Sequence, residues 1–596
     1  MPDVEDAGSS SDPLTCRFGP AVSDGGTCFR LWAPGVQHLD LLIQNRPQIP
    51  MKRSDDGFWS VTVAEAGAGT RYRFRIGDLI FPDPASRQQE ADADGWSVLR
   101  KPFARAAHGD ALRPWHESII CEVHIGTATP AGTFNAFRDR LEHYRDAGYT
   151  CLEFMPLNEF PGGRNWGYDG TLIFAPEAAY GTPDDLRALV DRAHELDLGV
   201  ILDVVYNHFG ETDNFLERYA PEWFTEEAET PWGAGINFNQ PMVRRFYYEN
   251  AAMWLSEYDF DGLRFDSVHQ IGTDSRALFL SELAQRAGAA KPHAALIIEN
   301  MDNAARWLER ENNEPKTFTA QWNDDFHHAL SHLVTGAPKY GYDDPDKDPF
   351  ADLEKALADG FVHDGEAYGR SDGKTRNEPA SRLPPDCFII YQQNHDQVGN
   401  SGDNTRLPDR ISPEKLDFLY FVTFLAPQIP LFFMGEEANV RTHFPFFVDL
   451  PEQAAEAKRN ERYRQMTELF DEDVPPQGLP DPNDPATFEM AKLDWKHFDT
   501  EEGRAALERF RTLMRFRKDM LWPLAKTPCR DARTARQGNG IIVTWEFEAG
   551  NLTMALNPQD VPADLDCTID RKPVTTGAVS VNDDVLRLGP WSACAW

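Results

Sequence analysis

Several things are scarce or missing in this chain of 596 residues, and each absence closes off a class of function. Cysteine is sparse: the eight residues (Cys16, Cys28, Cys121, Cys151, Cys387, Cys529, Cys567, Cys594) are scattered, with no CxxC pair. That pattern offers no zinc ribbon, redox motif or disulfide framework, and fits reduced thiols in a cytoplasm. No apolar run reaches the roughly 18 residues of a membrane-spanning helix, so none is expected. The opening residues, Met1-Pro2-Asp3-Val4-Glu5-Asp6, have neither a basic nor an apolar segment. A secretory leader is therefore not expected, and a cytoplasmic location is. Positive charge is also short: 59 Lys and Arg stand against 96 Asp and Glu, a net charge of −37. A field of that sign repels phosphate backbones and anionic bilayers, which argues against nucleic acid or membrane as partners. A neutral ligand remains open.

What is present divides along the chain into four stretches. Residues 1–15, rich in Ser, Asp and Gly, are expected to be a disordered N-terminus. Residues 16–110 read as short β-rich runs separated by Gly, Pro and Asp, among them Cys28–Trp32, Leu39–Ile43, Phe58–Val63 and Arg71–Ile76. These predict a β-sandwich. From 111 to 525 short apolar strands alternate with helical segments. The expected strands are Ile119–Ile125, Cys151–Leu157, Val200–Asn207, Gly262–Val268, Ala295–Asn300, Phe318–Asn323, Cys387–Asp396 and Pro430–Glu437. Between two of them, Leu186, Leu189, Val190 and Ala193 recur at helical spacing, with Thr182 or Asp184 as cap and Pro183 near the first turn. Eight mostly continuous apolar strands suit a closed parallel sheet buried on both faces, so the fold class is α/β, a (β/α)8 TIM barrel. Long intervals after strands three, six and eight predict insertions on its catalytic face. Residues 526–596 return to a β pattern, a small C-terminal β domain.

The chemistry gathers where strands end. Asp203-Val204-Val205-Tyr206-Asn207-His208 closes strand three, and Arg264-Phe265-Asp266-Ser267-Val268-His269 closes strand four. Glu299 closes strand five, and Asn394-His395-Asp396 closes strand seven. A carboxylate among apolar neighbours is costly unless partnered or functional, and four in one inferred ring favour function. Cleavage of a glycosidic bond with retention needs one carboxylate to attack the anomeric carbon and another, protonated, to donate to the leaving oxygen. Arg264, two residues before Asp266 and therefore on the same face, would hold Asp266 ionised. Glu299, ending an apolar strand, would be kept protonated by desolvation. Asp396 could grip sugar hydroxyls in the transition state.

In this order the strand ends resemble the four short conserved regions of the α-amylase superfamily of glycoside hydrolases. The resemblance implies Asp266 as nucleophile, Glu299 as acid/base and Asp396 as transition-state stabiliser. It also implies Arg264, His208 and His395 around the sugar next to the scissile bond, with Tyr168 of Trp166-Gly167-Tyr168-Asp169-Gly170 stacked on that sugar. Within the superfamily the chain looks most like the maltooligosyltrehalose trehalohydrolases, from Phe29-Arg30-Leu31-Trp32-Ala33-Pro34 almost to its end. Glu122-Val123-His124-Ile125-Gly126-Thr127, Trp322 through His328, Gln393 through Asn400 and Met434-Gly435-Glu436-Glu437 carry that likeness. Such enzymes hydrolyse the α-1,4 bond joining a terminal trehalose to a maltooligosaccharide, so the implied partner is maltooligosyltrehalose or a related α-glucan. Another α-glucan hydrolase or a glycogen branching enzyme is the alternative reading, and a noncatalytic glucan-binding protein the reading from another class.

One departure falls beside the acid/base. Asn300-Met301-Asp302 follows Glu299 where the family usually has an Asp immediately or one place later, on the leaving-group side. Asp325 and His327, with Asp324 and His328 beside them, offer polar groups to a departing trehalose, or a loop network of their own. His269 joins the expected substrate-binding set. The histidines form no converging metal set. Asn207 and Asp203 stand near where some superfamily members bind calcium, but the resemblance to the trehalohydrolases, which are generally not calcium-dependent, implies no cofactor and no obligatory metal.

Overall fold

The computed structural model describes residues 17–23, 25–104, 112–230, 233–336, 348–363, 365, 378–470, 479–582 and 585–596. The expected disordered segment 1–15 lies outside them. At the centre is a closed barrel of eight parallel strands: β1 (Ile120–Val123), β2 (Cys151–Phe154), β3 (Gly199–Val204), β4 (Gly262–Phe265), β5 (Ala295–Ile298), β6 (Ala320–Trp322), β7 (Phe388–Ile390) and β8 (Ile429–Phe433). Each pairs with the next in the chain, and β8 closes on β1 with Ile120 opposite Leu431. All eight expected strands are there, each shorter at its C-terminal end than its apolar run. Met155 and Leu157 remain buried beyond β2, and Tyr206 beyond β3. The apolar run continues because the loops over the barrel mouth are buried too, although the ladder has ended.

Side-chain alternation arranges the barrel interior. Ile120, Cys151, Ile201, Ile297, Ala320, Ile389 and Ile429 form one buried apolar cluster across seven strands. Two residues further along, on the same inward face, stand Glu122, Glu153, Asp203, Glu299 and Trp322. Period-two geometry thus puts an apolar plug at one end and ionisable groups at the end where barrel active sites form.

Helices wrap the outside: α1 (Pro183–Glu195), α2 (Pro241–Ser256), α3 (Thr273–Ala290), α4 (Asp324–Thr335), α5 (Pro349–Ala358), α6 (Pro413–Leu425) and α7 (Glu452–Phe470). Helix α1 shows how closely local chemistry sets these elements. The Thr182 side chain caps it by accepting from Asp185 N, Asp185 bonds back to Thr182 N, and Pro183 opens the first turn. Leu186, Leu189, Val190 and Ala193 face inward and are buried.

The N-terminal region forms two antiparallel sheets. One holds Gly26–Trp32 and Phe58–Val63; the other holds Asp40–Ile43 and Arg71–Ile76. Their inner faces meet through Phe29 and Tyr72, whose rings lie 4.9 Å apart. Phe81 stacks on Tyr219 at 4.5 Å, and Phe18 packs edge-on against Phe246 at 5.0 Å, so aromatic rings seat the sandwich against the barrel. C-terminal to the barrel, five strands including Gly540–Phe547 and Gly550–Asn557 form one sheet, with a three-stranded sheet beside it.

Candidate active site

The inward residue of β4, Arg264, is fully buried at the centre of the barrel mouth. Its Nη1 donates to Asp203 Oδ2 at 2.7 Å and to Asp266 Oδ1 at 2.9 Å, and its Nη2 donates to Glu299 Oε2 at 2.5 Å. The guanidinium lies 4.1 Å over the Trp322 ring. One planar cation thus gathers carboxylates from three neighbouring strand ends, a task the fork geometry of arginine suits and a lysine point charge does not.

Asp266 lies one residue past β4. Asn207 Nδ2 donates to its Oδ2 at 2.7 Å and to its backbone carbonyl at 2.8 Å. The next residue, Ser267, takes a left-handed conformation with φ +40°, uncommon for a residue other than glycine. That twist lets Ser267 N donate to Glu299 Oε2 at 3.1 Å. The Asp266 and Glu299 carboxylates are therefore cross-tied through one guanidinium and one strained backbone turn.

Their surroundings shift the two carboxyls in opposite directions. Burial raises the Asp266 carboxyl, against the pull of Arg264, to about 8. Burial also works to raise Glu299, but Arg264, His269, the Ser267 N–H and His395 together outweigh it and leave Glu299 below its ordinary value. Both directions run opposite to the expectation of an ionised Asp266 and a protonated Glu299. Arg264 lies closer to Glu299, and Ser267 adds its N–H to the same oxygen.

On the other flank, His395 N and Nδ1 meet the two oxygens of Glu122 at 2.8 and 2.5 Å. Burial alone would lower the imidazole, but Asp396 and Glu122 outweigh it and raise His395 to about 9, so it is a cation at neutral pH. Its Nε2 lies 3.5 Å from Asp396 Oδ1. The Tyr168 ring stacks on His395 at 5.1 Å, and its hydroxyl donates to Asp203 Oδ2 at 2.6 Å. His208 Nε2 meets the Tyr168 carbonyl at 2.9 Å. Beneath this layer Glu153 is buried with neither carboxylate oxygen hydrogen-bonded, and burial pushes it well above the ordinary carboxylate range.

These groups open on a cavity of about 180 Å³. Of the expected residues, Asp266, Glu299, Asp396, Tyr168, His208 and His395 line it, and Arg264 sits directly behind them. Trp166, Phe446 and a polar stripe from α7 (Lys458, Glu461, Arg462, Gln465) complete the wall. The stripe has helical spacing, but nothing local marks that face as lining a site 60 residues away in sequence.

Three expected substrate-binding residues stand elsewhere. Asp325 is buried, and its Oδ2 accepts from Asn303 Nδ2 at 3.0 Å, Val362 N at 2.8 Å and His363 N at 3.1 Å. It is a latch between loops, the second of the roles open to it, because successive residues at the start of α4 point to different sides. His327 lies flat against Tyr391 at 6.1 Å, outside the cavity. His269 accepts from Met301 N at 3.3 Å and so steadies the loop after Glu299. The neighbouring Asp324 also lies outside the residues that line the cavity. It accepts a hydrogen bond from Tyr391 OH, and burial with the nearby charge of Glu299 raises it to about 7.

Comparison with known proteins agrees with this geometry. Residues 17–79 match the model of carbohydrate-binding module 48 (isoamylase N-terminal domain), and residues 80–232 that of the alpha amylase catalytic domain. Malto-oligosyltrehalose trehalohydrolases from Saccharolobus solfataricus and Rhizobium sp. (strain M-11) are each 34% identical to the chain. The matches span 84% and 95% of this chain and 87% and 95% of those proteins. The chain belongs to the malto-oligosyltrehalose trehalohydrolase family. A crystal structure of a Salmonella typhimurium protein superposes with TM-score 0.91 at 36% identity, covering 97% of this chain and 99% of that one. Membership makes the chain a glycoside hydrolase of the α-amylase type acting on α-glucan. Among the described residues no group of three or more His, Cys, Asp or Glu could hold a metal ion, and no helix is long and apolar enough to cross a membrane.

Proposed function

We propose that this member of the trehalohydrolase family hydrolyses, with retention, the α-1,4 bond between a maltooligosaccharide and its terminal trehalose. The observation that carries the reading is Arg264 bridging Asp266 and Glu299. Two carboxyl groups on the two ends of one guanidinium are close together, in keeping with the separation of about 5 Å that retention requires.

In the first step Asp266 attacks the anomeric carbon of the maltooligosyl unit. The bond to the trehalose O4 breaks as Glu299 delivers its proton to that oxygen, and trehalose leaves. In the second step ionised Glu299 takes a proton from water, and the resulting hydroxide displaces Asp266 to release the maltooligosaccharide. Tyr168 supplies an apolar face to the sugar ring. Asp396 and the cationic His395 engage its hydroxyls as positive charge develops. For the first step the proton must lie on Glu299. A leaving oxygen entering between Glu299 and Arg264 would break the 2.5 Å contact and favour that transfer.

Incubation with maltooligosyltrehalose, plain maltooligosaccharide and amylose, followed by chromatography of the sugars, tests the substrate. Free trehalose from the first with little cleavage of the second is expected. Efficient cleavage of plain maltooligosaccharide, or new α-1,6 branches in amylose, would sink the reading.

A further inference from the structure

Asp396 is the most open of the reacting carboxylates, with its side chain 39% exposed. Its two contacts, with His395 Nε2 at 3.5 Å and Asn400 Nδ2 at 2.9 Å, both fall on Oδ1. Oδ2 is left to the cavity. Because the His395 contact is long, the Asn400 amide is the better-formed bond and sets how the carboxylate is turned. An amide side chain on a short helical turn can rotate, so something must orient it.

That something comes from α7. Arg462 Nη1 donates to Asn400 Oδ1 at 2.6 Å, and its Nη2 donates to the Gly399 carbonyl at 2.6 Å. The first bond also fixes which end of the Asn400 amide is the oxygen, so Nδ2 points to Asp396. The guanidinium lies 5.3 Å over the Phe446 ring, which restricts it further. Gly399 has its own reason to be there: a Cβ would fall 2.2 Å from the Trp166 ring that lines the cavity. One turn earlier, Lys458 pairs with Asp169 at 3.1 Å, beside Tyr168. Helix α7 is thus tied to both flanks of the sugar pocket, at Asp169 and at Asn400.

We propose that Arg462 is a positioning residue for the glycosidase reaction, acting through Asn400 to hold Asp396 toward the sugar hydroxyls. The inference rests on the reading of Asp396 as the carboxylate that engages those hydroxyls. A misplacement of a reacting group by an ångström costs on the order of 100-fold in rate, so holding one is worth a dedicated arginine.

Steady-state kinetics of the full chain on maltooligosyltrehalose separate this from a role in fold or binding. Arg462→Ala should lower kcat roughly 10- to 100-fold with KM within about threefold of the parent. Methylguanidinium in the assay should restore a measurable part of kcat, and Arg462→Lys should be intermediate, because an amine reaches one of the two acceptors. Asn400→Leu breaks the relay nearer Asp396 and should match the Arg462→Ala loss, which keeps the test open if the alanine variant fails to fold. Unchanged kcat in Arg462→Ala and Asn400→Leu would overturn the proposal, as would a loss confined to KM. Asp396→Asn, run in parallel, separates the two levels. If it is inactive while the Arg462 variants are unimpaired, only the relay falls; if it turns over normally, the role of Asp396 falls as well.

Discussion

Arg264 Nη2 lies 2.5 Å from Glu299 Oε2, nearer than the 2.9 Å at which Nη1 meets Asp266 Oδ1. That guanidinium pulls Glu299 down, while burial raises Asp266. The proposed first step needs the proton on Glu299, and the Arg264–Glu299 contact opposes that.

Removing the nucleophile tests the proposed roles most directly. Asp266→Ala should lower kcat by at least about 10³-fold while the far-ultraviolet circular dichroism stays that of the parent. Substantial retained turnover would mean that another group attacks the anomeric carbon.

Arg264 should matter for stability as much as for turnover. Arg264→Met leaves Asp203, Asp266 and Glu299 as mutually repelling buried carboxyls, and breaking a buried ion pair costs about 3–5 kcal/mol. A drop of that order in urea-unfolding free energy at pH 7 is expected. The drop should shrink at pH 5, where more of the carboxyls are protonated. An equal loss at both values would count against electrostatics as the cause.

The Asp396 and Glu122 carboxylates around His395 predict a decline in stability on the alkaline side. His395 has a folded-state value of about 9 against an ordinary 6.5. A raised value in the folded state gives stabilisation that is complete below about 6.5 and is lost as pH rises through about 9, worth about 3 kcal/mol. Melting temperature measured from pH 6.5 to 9.5 should fall in the parent and be flatter in Glu122→Gln. Parallel curves would remove the His395–Glu122 pair as a source.

Asp325 should behave as a latch and not as a sugar ligand. Asp325→Ala strands three donors, including two backbone N–H groups, at about 1–3 kcal/mol for such a buried group. Melting temperature should drop, while KM for maltooligosyltrehalose, measured well below the transition, should stay within about twofold. A large rise in KM with unchanged melting would restore the sugar-contact role.

Much of the site could be read from the chain because the barrel repeats a local rule. Alternation along each strand puts Ile201 and Asp203, or Ile297 and Glu299, on one inward face whatever the rest of the molecule does. Strand order then brings Asp203, Arg264 and Glu299 side by side. The capping of α1 by Thr182 is equally local, needing only Asp185 three residues on. The ends of strands were less legible, since Met155, Leu157 and Tyr206 stay buried under loops after the hydrogen-bond ladder has stopped.

What needed the tertiary structure was everything set by groups distant in sequence or by direction of pointing. Composition and alternation could not show that Asp324 meets Tyr391 while Asp325 turns to Asn303, Val362 and His363, because the start of a helix rotates successive side chains by about 100°. Nor could they show that α7 returns over the pocket to place Lys458 on Asp169 and Arg462 on Asn400. The carboxylates and their order belong to the sequence, through a period-two rule that each strand obeys alone. How burial and charge shift each of them, and that an arginine on α7 reaches Asn400 beside Asp396, were decided by the fold, because charge and burial depend on what lies opposite.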